Sequence, residues 1–550
     1  MPGQMTAMTW RSRSLSDILE KTPYRKIDVF FRASLYCRDR PELPRGGKRG
    51  GTMKRMPFES GGRTLDRKIQ AITVFLLAGI LLLPSLPRAG EVDQLQTRAK
   101  LGEIKAQVQL GKKYLRGEGV PQNYTEAYRW FAKAADRGNP EGQHRLGQMY
   151  ARGNGVLRDD AEAVRWYFLS AEQGYPEAQY DLGEMHMNGR GVLRNEAAAA
   201  KWYRMAAEQG HTEAQHKLGL MYASGQGGLR SDAEAAKWFR KAAERGYADA
   251  QHDLGFLYYT GRGVPQDYSA AMRWYRKAAE QGHADAQNKL GLMYHEGKGA
   301  PQNYTEALKW LKKAATKGNA AAQYNLGRIY ASGSGVVRDD AEAVRWFFMS
   351  VAQGHPGAQY GLGVMYEEGR GVPQDYAKAL QWYRKAADQG YAAAQTNLGI
   401  LYFDGRGTST NYGEAAKWLR KGAEQGDSAA QANLGYLYSN GLGVSRDNAK
   451  AAKWYRKAAE QGNPEAQTRL GELYERGAGV PRDYLESVKW YRKAAEQGDA
   501  EGQNNLGSLY ENGRGVPQDI GEALRLYQAA AERGSLAARD NLERLELLYQ

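Results

Sequence analysis

The feature of this sequence that most constrains its fold is a recurrence with a period of 36 residues. The Gln of the pattern QxxLG occurs twelve times, from Gln107 to Gln503, without an insertion or a deletion. A Trp column with the same period runs from Trp130 to Trp490 and contains eleven of the twelve tryptophans. Such strict phasing is typical of repeat proteins, in which each repeat is one supersecondary unit.

The segment that carries the Trp column reads as an amphipathic helix, which we call helix B. In "DYSAAMRWYRKAAEQG", the apolar residues Ala271, Trp274 and Tyr275 have the i, i+3, i+4 spacing of one helical face. Asp267 has the side chain of an N-cap, and Gly282 can adopt the left-handed conformation that ends a helix. We therefore predict a helix between these two residues.

The segment that carries the Gln column reads as a second helix, which we call helix A. In "ADAQNKLGLMY", the side chains of Gln287, Leu290 and Tyr294 lie on one helical face together with Gly291. We predict that Gly291 lets the two helices approach closely, because glycine has no side chain to hold them apart. The following "GKGAPQ" contains the glycine and proline of a turn, so each repeat is predicted to be a helical hairpin.

Two short antiparallel helices cannot bury a core alone, so successive hairpins must cover each other's apolar faces. The ends of the array agree with this requirement. Gln94 stands where a Trp would lie before the first repeat, and Glu543 and Glu546 replace the Gly and Tyr after the last one. Polar residues on the outermost helices are typical of solenoid caps. We therefore predict an all-α solenoid of stacked hairpins.

The combined pattern "DYxxAxxWYRKAAEQGxxxAQxxLGxxYxxGxGV" resembles the Sel1-like repeat, a relative of the tetratricopeptide repeat with a longer loop between its helices. The resemblance covers roughly residues 91–550. It implies a right-handed superhelix of about twelve 36-residue repeats that binds partner proteins, commonly as an adaptor or assembly factor in bacterial envelopes. The disulfide-rich secreted branch of that family does not fit, because this repeat region contains no cysteine.

These patterns divide the chain into five predicted segments. They are a basic, disordered segment at 1–68, a signal peptide or membrane anchor at 69–90, an N-terminal half-repeat cap at 91–102, the repeats at 103–534 and a C-terminal capping helix at 535–550.

The charge of the chain is concentrated at its N-terminus. The formal net charge is +15, but residues 1–90 contain 17 Lys or Arg and 7 Asp or Glu, whereas the rest contains 60 and 55. The repeats are therefore close to neutral and mixed in sign. No basic stripe with interleaved aromatic residues is evident in the sequence, so we expect no nucleic-acid partner.

An apolar run of about fifteen residues, Ile69–Leu83, follows Arg67 and Lys68. A membrane-spanning helix needs about 20 apolar residues, so the length favours the core of a signal peptide. An uncleaved anchor is the alternative, in which case the chain would contact a membrane only through 69–83. Because 68 residues precede this run, Met53 is a plausible true start. Cys37 is the only cysteine, so an exported product would contain none.

Residues with the pattern of a catalytic or metal site are missing from the sequence. His144, His216 and His252 share one column, but a metal site needs further ligands that converge at bonding distance. The carboxylates fall largely at cap and surface positions, and the Trp column has the spacing of core packing. We therefore expect no enzyme activity, no cofactor and no metal.

The internal copies separate conserved columns from variable ones. Counted from the Gln of helix A, positions 3, 4, 6 and 7 are nearly constant, whereas positions 1, 5 and 8 vary and share a separate face. In the tetratricopeptide family that this chain resembles, the equivalent helix lines the concave groove. We therefore predict a partner-binding face formed by aromatic residues and histidines at these positions, namely His144, Tyr180, His216, His252, Phe256, Tyr259, His295, Tyr324, Tyr360, Phe403 and Tyr436.

The predicted function is that of an exported, non-enzymatic scaffold that binds a protein or peptide. Two alternatives remain open, an assembly factor that contacts envelope polysaccharide or peptidoglycan, and a repeat-built hydrolase. Export would place the repeats in the periplasm or outside the cell. If Tyr324 and Tyr360 only contact a partner, replacing both with Ala should weaken binding without lowering the melting temperature.

Overall fold

The computed structural model describes residues 89–549, and the predictions for 1–68 and for nearly all of 69–90 fall outside this range. The described residues form α-helices and connecting turns, with one short 3₁₀ helix at Gln226–Gly228 and no strand. None of these helices has the length and apolar character needed to span a membrane. The described chain divides into two compact units, 89–266 and 267–549.

The N-terminal unit contains ten helices, in which helix A and helix B alternate after the first. They are α1 Ala89–Lys100, α2 Ile104–Arg116, α3 Tyr124–Asp136, α4 Pro140–Arg152, α5 Asp160–Glu172, α6 Pro176–Asn188, α7 Glu196–Glu208, α8 Thr212–Ser224, α9 Asp232–Glu244 and α10 Ala248–Thr260.

The C-terminal unit contains sixteen helices with the same alternation. They are α11 Tyr268–Glu280, α12 Ala284–Glu296, α13 Tyr304–Thr316, α14 Ala320–Ser332, α15 Asp340–Val351, α16 Pro356–Glu368, α17 Tyr376–Asp388, α18 Ala392–Asp404, α19 Tyr412–Glu424, α20 Ser428–Asn440, α21 Asn448–Glu460, α22 Pro464–Arg476, α23 Tyr484–Glu496, α24 Ala500–Asn512, α25 Ile520–Glu532 and α26 Leu536–Tyr549.

The helix boundaries follow from the predicted caps. The side chain of Asp267 accepts a hydrogen bond from the backbone N–H of Ala270, which satisfies one of the unpaired donors at the start of α11. Gly282 follows the end of that helix with φ of +92°, a conformation that is costly for residues with a side chain. The predicted start and end of helix B are therefore confirmed.

The glycine of the QxxLG pattern lies where helix A meets helix B of the same repeat. A Cβ atom added at Gly291 in α12 would lie 2.7 Å from Cγ of Leu311 and 3.0 Å from the carbonyl oxygen of Ala307, both in α13. These distances are too short for non-bonded atoms, so a larger residue would push the helices apart. The predicted close approach at Gly291 is confirmed.

Helix B contributes the largest buried side chains of both units. Six tryptophans of the column are buried and the other five are partly buried, which confirms their packing role. The residue that follows each Trp is buried more deeply, as for Tyr203 in α7 and Tyr383 in α17, which are fully inaccessible. This residue lies against the glycine of helix A in the same repeat, as Tyr203 does against Gly183, and it is aromatic in most repeats and leucine at 311 and 419.

The Gln column links one repeat to the next through buried amide hydrogen bonds. Nε2 of Gln323 donates to the carbonyl oxygen of Ala315 at 3.0 Å, near the end of helix B in the preceding repeat. Its Oε1 accepts from Nε2 of Gln353 at 2.9 Å, 30 residues further along the chain. The column of Gln323 and the column of Gln353 therefore both have a structural cause. The first satisfies a carbonyl at the end of a helix, and the second satisfies the buried amide oxygen of the first.

Three repeats lack the second bond of this pair. Oε1 of Gln107, Gln215 and Gln287 is buried without a hydrogen-bond partner among the described residues. In these repeats the residue 30 positions on is Arg or Lys, which donates to a glycine carbonyl instead. An Arg or Lys side chain fits at this position. It leaves the buried Oε1 of the glutamine without a hydrogen bond, however, and this costs free energy of folding.

We expect Lys317→Gln to increase the free energy of unfolding by about 1 kcal/mol, the usual net value of one hydrogen bond. The new amide could bond both Oε1 of Gln287 and the carbonyl of Gly282, as Gln389 does with Gln359 and Gly354 at 2.7 and 3.0 Å. Urea unfolding would measure the change, with Lys312→Gln as the control for loss of one charge. An equal stability of the two variants would contradict this account.

Candidate functional site

The face predicted to bind a partner is formed by positions 1, 5 and 8 of each helix A, and we call it the A-helix face. None of the eleven predicted residues on it is fully exposed, and eight are partly buried. Three of them, His144, His216 and Tyr360, are buried. The prediction that position 1 is left free by stacking is wrong for these three residues, because helix B of their own repeat and the residue that follows it cover them.

His144 in α4 shows how position 1 is covered. Its ring is only 2% exposed and lies 5.6 Å from the ring of Tyr167 and 5.3 Å from that of Tyr175. Its Nε2 lies 2.8 Å from Oδ2 of Asp181, which is 37 residues further along the chain. His144 is therefore part of the contact between two adjacent repeats.

His216 in α8 repeats this arrangement. Its ring packs against Phe239 and Tyr247, and its Nε2 lies 2.9 Å from Oδ2 of Asp253. Nδ1 of His252 lies 3.0 Å from the other carboxylate oxygen. Burial alone would raise the pKa of Asp253, but the hydrogen bonds from the two histidines outweigh it and hold that pKa well below its ordinary value.

In the C-terminal unit, tyrosines take the place of the histidines. The Tyr360 ring is 2% exposed and lies between the rings of Tyr383 and Tyr391, at 5.6 and 5.3 Å. Tyr324 is partly buried and stacks on His355 at 4.8 Å. Both rings pack against helix B of their own repeat and the residue that follows it, so we expect the double alanine variant to have a lower melting temperature, contrary to the expectation from the sequence.

The residues that cover position 1 form a column that sequence reasoning did not use. It is the residue directly after the terminating glycine of helix B, and its aromatic members and histidines are Tyr175, His211, Tyr247, His283, His355 and Tyr391. The column was visible at the same period of 36. Its role required the structure, because it contacts position 1 of helix A in its own repeat, from the far end of helix B.

The remaining predicted residues keep part of their surface accessible. Tyr180, His252, Phe256 and Tyr259 lie in the N-terminal unit, and His295, Tyr324, Phe403 and Tyr436 lie in the C-terminal unit. The prediction omitted Leu220, which is at position 5 of α8 and is 38% exposed. The prediction included position 5 but named only its aromatic residues, so this leucine was left out.

Burial lowers the pKa of His355 to about 4 from 6.5, and burial also lowers the pKa of His211 and His295. Between these pH values the unfolded chain binds more protons than the folded chain. We therefore expect full stability above pH 6.5 and a progressive loss toward pH 4, on the order of 3 kcal/mol for His355.

Urea unfolding at pH 7.5 and pH 5 would measure this loss. His355→Asn is the matched control, because Asn319 caps the equivalent helix in the preceding repeat without a titratable group. The difference in free energy of unfolding between pH 7.5 and pH 5 should be smaller in this variant than in the unaltered chain. An unchanged difference would contradict the role of His355.

Within residues 89–549, no group of three or more His, Cys, Asp or Glu side chains is arranged to hold a metal ion. The most prominent depressions have volumes of about 300 Å³ beside α21 and about 170 Å³ between α4 and α6. The smaller one is lined by Gln148, Arg152, Tyr167, Asp181 and Glu184, among others. Of these, Gln148 donates to Oδ2 of Asp181 at 3.3 Å across two repeats, and Glu184 accepts from the hydroxyl of Tyr203 at 2.6 Å.

The chain consists of stacked helical hairpins in which the buried residues are nearly constant and the surface residues vary. This arrangement defines an α-solenoid repeat protein. The family model described as "Sel1 repeat" matches twelve consecutive segments of this chain, from 104–139 to 500–535. The chain therefore belongs to the Sel1 repeat family.

Two solved structures are similar to this chain. One is a protective antigen present in uropathogenic Escherichia coli strains that displays an SLR fold. It is 36% identical, with a TM-score of 0.63, over 83% of this chain and 94% of that one. A Sel1 repeat protein from Oxalobacter formigenes is 34% identical over 56% of this chain and 89% of its own, with a TM-score of 0.42.

A curated relative is the secretory immunoglobulin A-binding protein EsiB of Escherichia coli O6:H1, strain CFT073. It is 38% identical over 67 residues, which are 12% of this chain. The match covers only 14% of that protein. Sel1 repeat proteins are scaffolds that generally bind protein partners, and they are typically without catalytic activity.

Proposed function

We propose that this chain is an exported, non-enzymatic scaffold that binds a protein or peptide partner on the A-helix face of its N-terminal unit. The single observation that carries the proposal is the composition of position 5. This position holds Gln148 and Glu184 in two successive repeats, and Leu220 and Phe256 in the next two. Stacking therefore does not require an apolar residue there.

The apolar pair lies beside further accessible groups. Tyr259 and His252 are partly accessible and belong to α10, the same helix as Phe256. Partly exposed aromatic and aliphatic side chains are typical of protein-binding surfaces. Export is proposed from the sequence alone, because Arg67, Lys68 and the apolar run that follows have the order of a signal peptide.

The test uses residues that the chain itself places at position 5. Leu220→Gln and Phe256→Glu together should weaken partner binding at least tenfold without changing the melting temperature. Leu157→Gln is the control, because Leu157 is also an exposed leucine of this unit but lies in a loop. Partners captured from an envelope extract would be identified by mass spectrometry, and their dissociation constants would be measured with purified components.

Purified secretory immunoglobulin A is a defined probe for the same measurement, because a relative is named for binding it. Equal affinity of the double variant and the control would overturn the A-helix face as the binding surface. Binding on a glycan array without a protein partner would favour the polysaccharide alternative. N-terminal sequencing of the native product would test export, start site and cleavage together.

A further inference from the structure

A group of carboxylates and aromatic rings adjoins the A-helix face at the start of α6 and α8. Glu177 and Glu213 are exposed and stand two residues before the Gln of their helices, and Asp181 stands two residues after it. Between them lie the stacked rings of Tyr180 and His211, with centroids 4.8 Å apart. We call these five residues the acidic–aromatic cluster.

The three carboxylates act on the same two rings. Burial lowers the pKa of His211, whereas Glu213, Glu177 and Asp181 raise it. Burial raises the pKa of Tyr180, and carboxylates of α6 and α8 raise it further. Oε2 of Glu213 also lies 3.5 Å from Nδ1 of His211. Carboxylates from two successive repeats therefore converge on one aromatic pair.

The helices that form the cluster carry more negative than positive charge. Together α6 and α8 contain four carboxylates and one lysine, Lys217. The lysine is in an ion pair with Glu184, with Nζ and Oε1 2.9 Å apart. His144 of α4 lies 2.8 Å from Asp181. These two contacts leave the first-turn carboxylates of α6 and α8 to be considered.

Arginines of the neighbouring elements have other partners. Arg145 of α4 donates a hydrogen bond to Oε1 of Gln148 at 3.0 Å. Arg190 forms an ion pair with Asp160 at 2.6 Å, and Arg152 lines the depression beside the later turns of α6. Among residues 89–549, neither first-turn carboxylate of the cluster has a Lys or Arg nitrogen within 4 Å. The start of these two helices is therefore a local centre of negative charge.

The fold does not require a carboxylate at the position of Glu177 and Glu213. The equivalent residue is Lys in α2, Gly in α16, and Ala in α14, α18 and α20. Their acidic character is thus a property of particular repeats, as the apolar character of position 5 is. Exposed charges that stacking does not demand are available to a partner of opposite charge.

The cluster shares one side of α8 with an apolar residue. Glu213, Lys217 and Leu220 have the i, i+4, i+7 spacing of a single helical face, and Leu220 is 38% exposed. Seven residues of an α-helix span about 10 Å. Three residues of an extended chain span about the same distance. A ligand that covers both ends of this face therefore has a charged and an apolar group about three residues apart.

We propose that the acidic–aromatic cluster binds an Arg or Lys side chain of an extended partner segment, and that an apolar residue about three positions away contacts Leu220. Carboxylates bind these cations through charge-assisted hydrogen bonds, and the Tyr180 ring adds a cation–π contact. The partner is a basic, partly apolar polypeptide. This proposal rests on the proposed function, because it gives the chemistry of the partner for the same side of the N-terminal unit.

Fluorescence anisotropy of the full chain with three labelled 12-residue peptides would test this proposal. The first peptide repeats Arg-Ser-Ser-Leu three times. The second has Glu in place of Arg, and the third has Ser in place of Leu. The first should bind at least tenfold more tightly than either of the others. The chain has a formal net charge of +15, so unspecific attraction would favour the Glu peptide instead.

Two variants locate the site. Glu177→Gln with Glu213→Gln should weaken binding of the Arg–Leu peptide at least fivefold without changing the melting temperature. The control is Glu172→Gln with Glu208→Gln, because these are exposed carboxylates on helices B of the same unit. Glu177→Lys with Glu213→Lys should make the Glu–Leu peptide the tighter ligand. The equivalent position in α2 already holds Lys105, so the fold accommodates this side chain.

Three results would overturn the proposal. They are equal binding of the Arg–Leu and Glu–Leu peptides, an equal effect of the control variant, and equal binding of the peptide without Leu, which would indicate a general site for cations.

This proposal and the proposed function can fail separately. If Leu220→Gln with Phe256→Glu weakens binding of the captured partner but Glu177→Gln with Glu213→Gln does not, only the chemistry proposed for the cluster is wrong. If neither variant weakens binding of that partner, the A-helix face is not the binding surface.

Discussion

Trp310→Ala is expected to lower the free energy of unfolding by about 3–5 kcal/mol, as for other buried aromatic residues. The Trp310 side chain in α13 is 7% exposed, and its Nε1 donates to Glu306 at 3.0 Å. Nζ of Lys313 lies 4.4 Å from the ring centroid. The substitution would remove the ring that fills the space between two repeats and would leave a cavity there.

The measurement needs local as well as global resolution, because long repeat arrays do not always unfold in one step. Hydrogen exchange should become faster in α13 and in the neighbouring repeats, and denaturant unfolding should give the total loss. Lys313→Gln is the matched control, and should cost only about 0.5–1 kcal/mol because it removes the cation and keeps the ring. A loss below about 1 kcal/mol for Trp310→Ala would mean that the Trp column does not stabilise stacking.

Tyr360→Ala is expected to cost about 3–5 kcal/mol, whereas Tyr360→Phe should be neutral or stabilise by up to about 1 kcal/mol. The two variants separate the ring from its hydroxyl. The ring packs between Tyr383 and Tyr391, but the hydroxyl is buried without a hydrogen-bond partner among the described residues. Removing an unpaired buried polar group relieves its desolvation cost.

Thermal unfolding of the two Tyr360 variants would distinguish a core residue from a binding residue. If Tyr360→Ala left the melting temperature unchanged, the ring would not be part of the contact between repeats. If Tyr360→Phe lowered the melting temperature as much as Tyr360→Ala, the Tyr360 hydroxyl would have to form a stabilising hydrogen bond.

Local sequence patterns were sufficient for the elements of each repeat. The cap at Asp267, the end at Gly282 and the close approach at Gly291 are all where the pattern predicted them. Each of these features depends on residues that are close along the chain or repeat at a constant spacing. The same holds for the burial of the Trp column, since its helical phase determines the face on which it lies.

The site could be predicted only in part. His144 and Tyr360 occupy a variable column, and variability was taken as freedom from packing. In the structure His144 contacts Asp181 of the next repeat, and Tyr360 contacts Tyr391 at the end of its own repeat. A column such as position 1 can vary between repeats and still be buried when the residues that contact it vary as well. That pairing between columns cannot be seen in either column alone.

By itself, the sequence determined the repeat, the helices and their caps, because these depend on local backbone and side-chain chemistry. Only the tertiary structure decided which surface residues are covered, because the covering side chains, such as Tyr167 and Tyr391, are distant along the chain from the residues that they cover.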